Sequence, residues 1–178
     1  MANDYGVPPH QPYRFLVRWM LKRERAKVLE IEAASWEIPW SEENLIHCLD
    51  KRNCTGEVIE YEDTIIGFMI YELHQTMIEL LTLAVSPQWR RRGAGTRMVQ
   101  KLASRLSVQR RPRLEVPVGE YNLAAQLFFR RQGFRAIGTL RNYWEDSSQD
   151  MYLMRYLCPQ TRRTSPAFPI NRLNHLFS

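Results

Sequence analysis

The chain has 178 residues, 44% of them hydrophobic and 25% charged, with a net charge of +6. Such values describe one soluble globular domain with short tails, and no run of about 18 apolar residues offers a membrane span. Cys48, Cys54 and Cys158 are odd in number and follow no metal-ligand spacing, so they read as reduced thiols of a cytoplasmic protein with no metal site.

Met1–Pro12 is polar, contains Asp4 and has no continuous apolar signal region, so it reads as a flexible N-terminal segment. Tyr13–Met20 alternates loosely, as an opening strand does. Lys22–Ser35 comes next, with Val28, Leu29, Ile31 and Glu32 at helical spacing. Pro39 blocks direct continuation, and Ser41 before Glu42 and Glu43 reads as the cap and acidic first turn of a second helix to about Lys51. Glu57–Tyr61 and Ile65–Tyr71 are β-rich runs joined as a hairpin through Glu62-Asp63-Thr64, and Met77–Val85 is a further strand ended by Ser86-Pro87.

Arg90-Arg91-Arg92-Gly93-Ala94-Gly95-Thr96 then opens a third helix, whose apolar stripe is Met98, Leu102 and Leu106 with Val99 and Ala103. Gly93 and Gly95 let backbone approach a ligand without a Cβ in the way. The first helical turn offers unpaired N–H groups and a positive dipole end, and the flanking arginines suit a pyrophosphate. The segment is not a Walker loop, because no Gly-Lys-Ser/Thr comes after it, and it lacks the third glycine of a dinucleotide fingerprint. From Arg90 to Arg113 the chain carries eight arginines and Lys101 with no Asp or Glu. Such a run fits a phosphorylated cofactor, RNA or a ribosome, or else a solvated face whose arginine stems cover core edges.

Arg113–Val118 reads as a short buried strand that Pro117 ends or bulges, and Asn122–Arg131 as an amphipathic helix stopped at Gly133. Phe134–Tyr143 and Gln149–Leu157 are the last strands, around the polar loop Glu145–Ser148. Residues 159–178, with Pro159, Pro166 and Pro169, read as a tail behind a domain spanning residues 13–158. The order β-α-α-β-β-β-α-β-α-β-β argues an α+β fold, a sheet covered on both faces.

Placed on that order, Arg90-Arg91-Arg92-Gly93-Ala94-Gly95 resembles the acetyl-CoA turn of the GNAT acetyltransferase superfamily. Asn122, Ala125, Phe129, Gly133 and Phe134 match that family's second block independently. Ile38-Pro39-Trp40-Ser41-Glu42, Leu83-Ala84-Val85-Ser86-Pro87, Leu114-Glu115-Val116 and Arg141-Asn142-Tyr143-Trp144 narrow the resemblance to the RimI-type ribosomal-protein alanine N-acetyltransferases, over roughly Phe15 to Met154.

The resemblance implies a mixed, mostly antiparallel sheet of about seven strands with helices on both faces. It implies acetyl-CoA as co-substrate, held by the backbone of Leu83, Ala84 and Val85, by the turn Arg91, Arg92, Gly93, Ala94, Gly95 and Thr96, and by Asn122, which equally reads as a helix N-cap. Glu115 stands where the family keeps its general base, with Glu79 and Glu120 as rivals. Ile38, Pro39, Trp40 and Tyr143 would flank the acceptor, a peptide or protein N-terminus. The sequence departs from the family at Phe129, where a tyrosine acid is expected, and in the seven-residue step from Glu115 to Asn122. Tyr143 or Tyr121 could replace that acid. A small amine or a lysine remains open as acceptor, as does a catalytically weak CoA-binding module docking on RNA.

Overall fold

The computed structural model describes residues 13–141, 143 and 149–162. Its strands are β1 (Leu16–Trp19), β2 (Cys54–Tyr61), β3 (Thr64–Leu73), β4 (Met77–Val85), β5 (Arg113–Gly119), β6 (Arg135–Leu140) and β7 (Met151–Leu157). The helices are α1 (Arg25–Ala33), α2 (Glu42–Asp50), α3 (Ala94–Ala103), α4 (Leu123–Arg131) and a single turn, α5 (Pro159–Arg162). One sheet runs in the order β1-β2-β3-β4-β5-β7-β6, antiparallel except for the parallel pair β4–β5. This is the expected α+β architecture. The N-terminal segment 1–12, the loop Glu145–Ser148 and residues 163–178 of the expected tail lie outside the described residues.

Local chemistry sets the element ends. Glu62 and Asp63 have φ of 47° and 60° and join β2 to β3 as a two-residue turn, the backbone that matches the strands' right-handed twist. Ser41 Oγ accepts from Asn44 N at 3.1 Å and so caps α2. Gly133, at φ 90°, closes α4. The reading of Pro117 is corrected: β5 runs on to Gly119, and Pro117 pairs in register with Leu153 of β7. Beyond Glu115, β5 has no partner on its β4 side, and such an edge-like stretch tolerates a missing N–H.

Alternating residues send side chains to two cores. Ile59, Met69, Tyr71 and Leu80 join Met98, Leu102 and Phe129 on the α3/α4 face. Val58, Phe68, Ile70 and Ala84 join Val28, Ile31 and Leu45 on the α1/α2 face. Among the described residues, no helix is long and apolar enough to cross a membrane.

Two irregularities of β4 interrupt the middle of the sheet. Ile70 pairs with Thr82 and Tyr71 with Leu80, so Leu81 is an extra residue, and the bulge bends the strand. Pairing with β5 covers only Met77↔Arg113, Ile78↔Leu114 and Glu79↔Glu115. From Leu80 to Val85 the two strands diverge, and a gap opens between them.

At the far end of that divergence β3 and β4 approach closely. A Cβ on Gly67 would lie 2.7 Å from the Ala84 carbonyl oxygen and 3.3 Å from Val85 Cα. Gly67→Ala therefore forces backbone apart, and a loss of about 1–3 kcal/mol is expected in urea unfolding.

Candidate active site

The gap is walled on one side by β4. Among the described residues, the edge of Leu80–Val85 facing β5 has no ladder partner, which leaves its peptide groups open to a ligand. Leu83, Ala84 and Val85 lie in this stretch: Ala84 packs on the α1/α2 face, and Leu83 and Val85 border the α3/α4 core. After β4 the chain turns through a 3-10 segment at Pro87–Trp89. Arg90 ties this corner down, donating from Nε to the Val85 carbonyl (3.0 Å) and from Nη2 to Ser35 Oγ (3.1 Å).

Arg91 at φ 62° and Gly93 at φ 91° then reverse the backbone into α3. The first intrahelical bond, Arg97 N to Gly93 O, is 2.9 Å long. The N–H groups of Ala94, Gly95 and Thr96 precede it and point out of the helix start. A Cβ on Gly95 would sit 3.2 Å from Phe128 Cζ, so that glycine also lets α3 and α4 close together. Arg92 is exposed and partly engaged by aromatic side chains. Its guanidinium lies 5.0 Å from the Trp89 ring centroid and 5.6 Å from that of Tyr13, and Nη1 donates to Tyr13 Oη at 3.1 Å. Asn122 caps α4, its Oδ1 accepting from Ala125 N at 3.0 Å.

Glu79 and Glu115 face each other in register at the last paired position, where the gap closes. Both belong to the α1/α2 face, since their neighbours Ile78, Leu80, Leu114 and Val116 line the other core. Glu115 is only 6% exposed. Arg155, its partner on β7, reaches Oε1 from Nε and Nη2 at 2.7 Å each, and Arg113 Nε lies 3.2 Å from the same oxygen. All these contacts end on Oε1, not Oε2.

Glu79 has different company. His74 Nε2 is 3.1 Å from Oε2, and Tyr143 donates to Oε1 at 3.5 Å. Burial, then the Glu79 charge, pushes the Tyr143 phenol above its usual range, so it stays protonated at neutral pH. Glu120 lies away from this pair, accepting from Asp150 N at 3.0 Å. Phe129 is packed between Phe128 and Phe134 and has no proton to give, and Tyr121 is 81% exposed.

The loop before α2 leaves Ile38 86% exposed and Pro39 exposed, while Trp40 packs against the α1/α2 core. What holds Trp40 is Glu32, buried on α1: Oε1 accepts from Trp40 N (3.3 Å) and Oε2 from Thr82 Oγ1 (3.5 Å), at the β4 bulge. Sequence reasoning assigned Glu32 no role, although a carboxyl on the apolar stripe of α1 was the available signal. His74, Arg113 and Arg155 were also missed as partners, and only the strand register brings them to these carboxylates.

The model of the acetyltransferase (GNAT) family matches residues 25–134. A Bacillus subtilis protein named as a putative ribosomal protein bS18-alanine N-acetyltransferase is 24% identical over 139 residues, which cover 78% of this chain and 92% of that one. The solved ribosomal-protein-S18-alanine N-acetyltransferase of Escherichia coli superposes with a TM-score of 0.72 at 20% identity, covering 89% of this chain and 99% of its own. Arabidopsis thaliana NAA60, solved in complex with acetyl-CoA, gives 0.71 at 15% identity, covering 80% and 99%.

Burial raises the Glu32 carboxyl above the usual carboxylate range, so the fold favours its protonated form. Its stabilising contribution is full at acid pH and is lost as pH rises through that raised value. Glu32→Gln keeps an acceptor for Trp40 N without the charge. Thermal melts should show the variant gaining on the parent chain by a few degrees between acid and neutral pH.

Proposed function

We propose that this chain, which belongs to the GNAT family of acetyltransferases, transfers acetyl from acetyl-CoA to the α-amino group of a protein N-terminus. The observation that carries the proposal is the gap between β4 and β5, with two carboxylates at its closed end and a glycine-bearing helix start at its mouth. An extended pantetheine arm fits the unpaired edge Leu83–Val85, making strand-like hydrogen bonds. A pyrophosphate fits the N–H groups of Ala94, Gly95 and Thr96, with Arg91 beside them. Arg92 then contributes as a wall, and Asn122 keeps its amide nitrogen available beyond the cap.

The acceptor approaches from the α1/α2 face, between Ile38-Pro39-Trp40 and Tyr143. An α-amine with a pKa near 8 arrives partly protonated, and attack on the thioester carbonyl needs its lone pair. We assign the base to Glu115: the two guanidinia fix Oε1 and leave Oε2 for the amine proton. An N–H of the open β4 edge meets the developing oxyanion in a mostly apolar slot. The thiol leaves as thiolate, a tolerable leaving group with an ordinary pKa of about 8.5, so Phe129 slows transfer without forbidding it. Tyr143, already protonated beside Glu79, is the hydroxyl nearest to replacing the lost acid.

A ribosomal-protein N-terminus in the cytoplasm is the acceptor and setting we favour, on the likeness to proteins named for that substrate.

The test is acetylation of peptides with Ala, Ser, Met or Thr at the N-terminus, plus a blocked peptide with an internal lysine, read by mass spectrometry. N-terminal modification is expected, and product on lysine alone would overturn the acceptor. Glu115→Gln should lower kcat by roughly 10²-fold with little change in KM for acetyl-CoA. An unchanged kcat there, with a collapse in Glu79→Gln, would move the base across the register pair.

A further inference from the structure

Cys48 ends the buried face of α2 and Cys54 begins β2, and their sulfurs lie 2.8 Å apart. Both are free thiols. Backbone turns hold the connection: Lys51 N donates to Cys48 O (3.2 Å), Cys54 N to Lys51 O (3.1 Å), and Leu73 N to Asn53 O (2.8 Å). A disulfide needs about 2.05 Å between sulfurs, so closure asks for less than an ångström of movement and no new backbone path.

Cys54 is half-buried and lines a recess formed with Trp19, Lys22, Arg25, Leu49 and Asp50. Arg25 Nε is buried with no hydrogen-bond partner among the described residues. From this arrangement we propose that Cys48 and Cys54 are an oxidation site, a dithiol that an anionic low-molecular-weight disulfide converts to an intramolecular disulfide stapling α2 to β2. The inference is independent of the acetyl-transfer reading.

The exchange balances without another reactant. The two sulfurs share a hydrogen bond. Cys54, the more exposed of the two sulfurs, attacks the external disulfide on losing its proton, forms a mixed disulfide and releases one small thiol. Cys48 then attacks Cys54 Sγ, the S–S bond closes, and the second small thiol leaves with the remaining proton. The two cysteines are oxidised and the external disulfide is reduced to two thiols. The hydrogen bond with Cys48, then burial, raises the Cys54 thiol, so the first attack sets the rate of the exchange. Lys22 and Arg25 outnumber Asp50 in the recess and so supply net positive charge for the carboxylates of an anionic reagent.

The probe is oxidised glutathione, added to the full native chain. Thiol counting and peptide mapping should show Cys48 joined to Cys54, two hydrogens lost and Cys158 still reduced. The oxidised chain should melt about 5 °C higher, and dithiothreitol should reverse this. Cys48→Ser should stop at a glutathione adduct on Cys54, and Cys54→Ser should leave Cys48 unmodified. A Lys22→Ala/Arg25→Met variant should react several-fold more slowly with oxidised glutathione but at the parent rate with uncharged 2-hydroxyethyl disulfide. A stable adduct on Cys54 of the parent chain, oxidation only after unfolding in urea, or bridges between chains would overturn the proposal. Equal slowing with both reagents would overturn the role given to the two cations.

Discussion

The early end of the β4–β5 pairing is the constraint on which the rest of the molecule depends. These are the two parallel neighbours of the sheet, and their ladder stops after the pair Glu79↔Glu115. A central strand with an open edge is costly unless something satisfies its peptide groups. The bulge at Leu81 lies two residues beyond the last paired residue, where a bend in β4 turns it away from β5. The chain thus keeps its sheet continuous through β3, β5 and β7 while holding one slot open inside it. Gly67 belongs to the same design, because only a residue without Cβ lets β3 follow β4 so closely there.

That geometry also sorts the chemistry by face. Where β4 and β5 are paired, Ile78, Leu80, Leu114 and Val116 go to the α3/α4 core, and Glu79 and Glu115 go to the α1/α2 side. Two carboxylates in neighbouring register would repel each other. The fold answers with unlike partners: guanidinia for Glu115, a phenol and an imidazole for Glu79. Glu32 reaches the same face from α1 and accepts hydrogen bonds from Trp40 and Thr82. The site is therefore a set of acids in three distinct environments, and differences of environment are what allow like groups to take different roles.

What was legible in the sequence is what local geometry dictates. The Glu62-Asp63 turn, the Ser41 and Asn122 caps and the Gly93 reversal each derive from residue type within a few positions. What was not legible needed tertiary pairing. Pro117 looked like a strand end, because the open side of β5 is a property of β4. Arg155 stands 40 residues from Glu115, and Cys48 meets Cys54 only because two turns fold back between them. Asn122 was legible as a cap because that bond spans only three residues.

The basic run from Arg90 to Arg113 makes the same point about charge. As sequence it is a patch of positive charge suited to a polyanion. In the fold, Arg90 braces the corner after β4, and Arg92 stacks on Trp89 and Tyr13. Arg105 pairs with the buried Glu57 and Tyr71 and lies over Trp19, Arg111 donates to the His74 carbonyl, and Arg113 approaches Glu115. Removing one partner from a buried pair such as Arg105–Glu57 strands the other charge, at a cost of about 3–5 kcal/mol. A nucleic acid could not recruit Arg105 without incurring that cost. Only Arg91, Arg97, Lys101 and Arg110 are left with exposed side chains and no such contact among the described residues. Arg91 and Arg97 flank the glycine turn, where a small phosphorylated co-substrate would need positive charge.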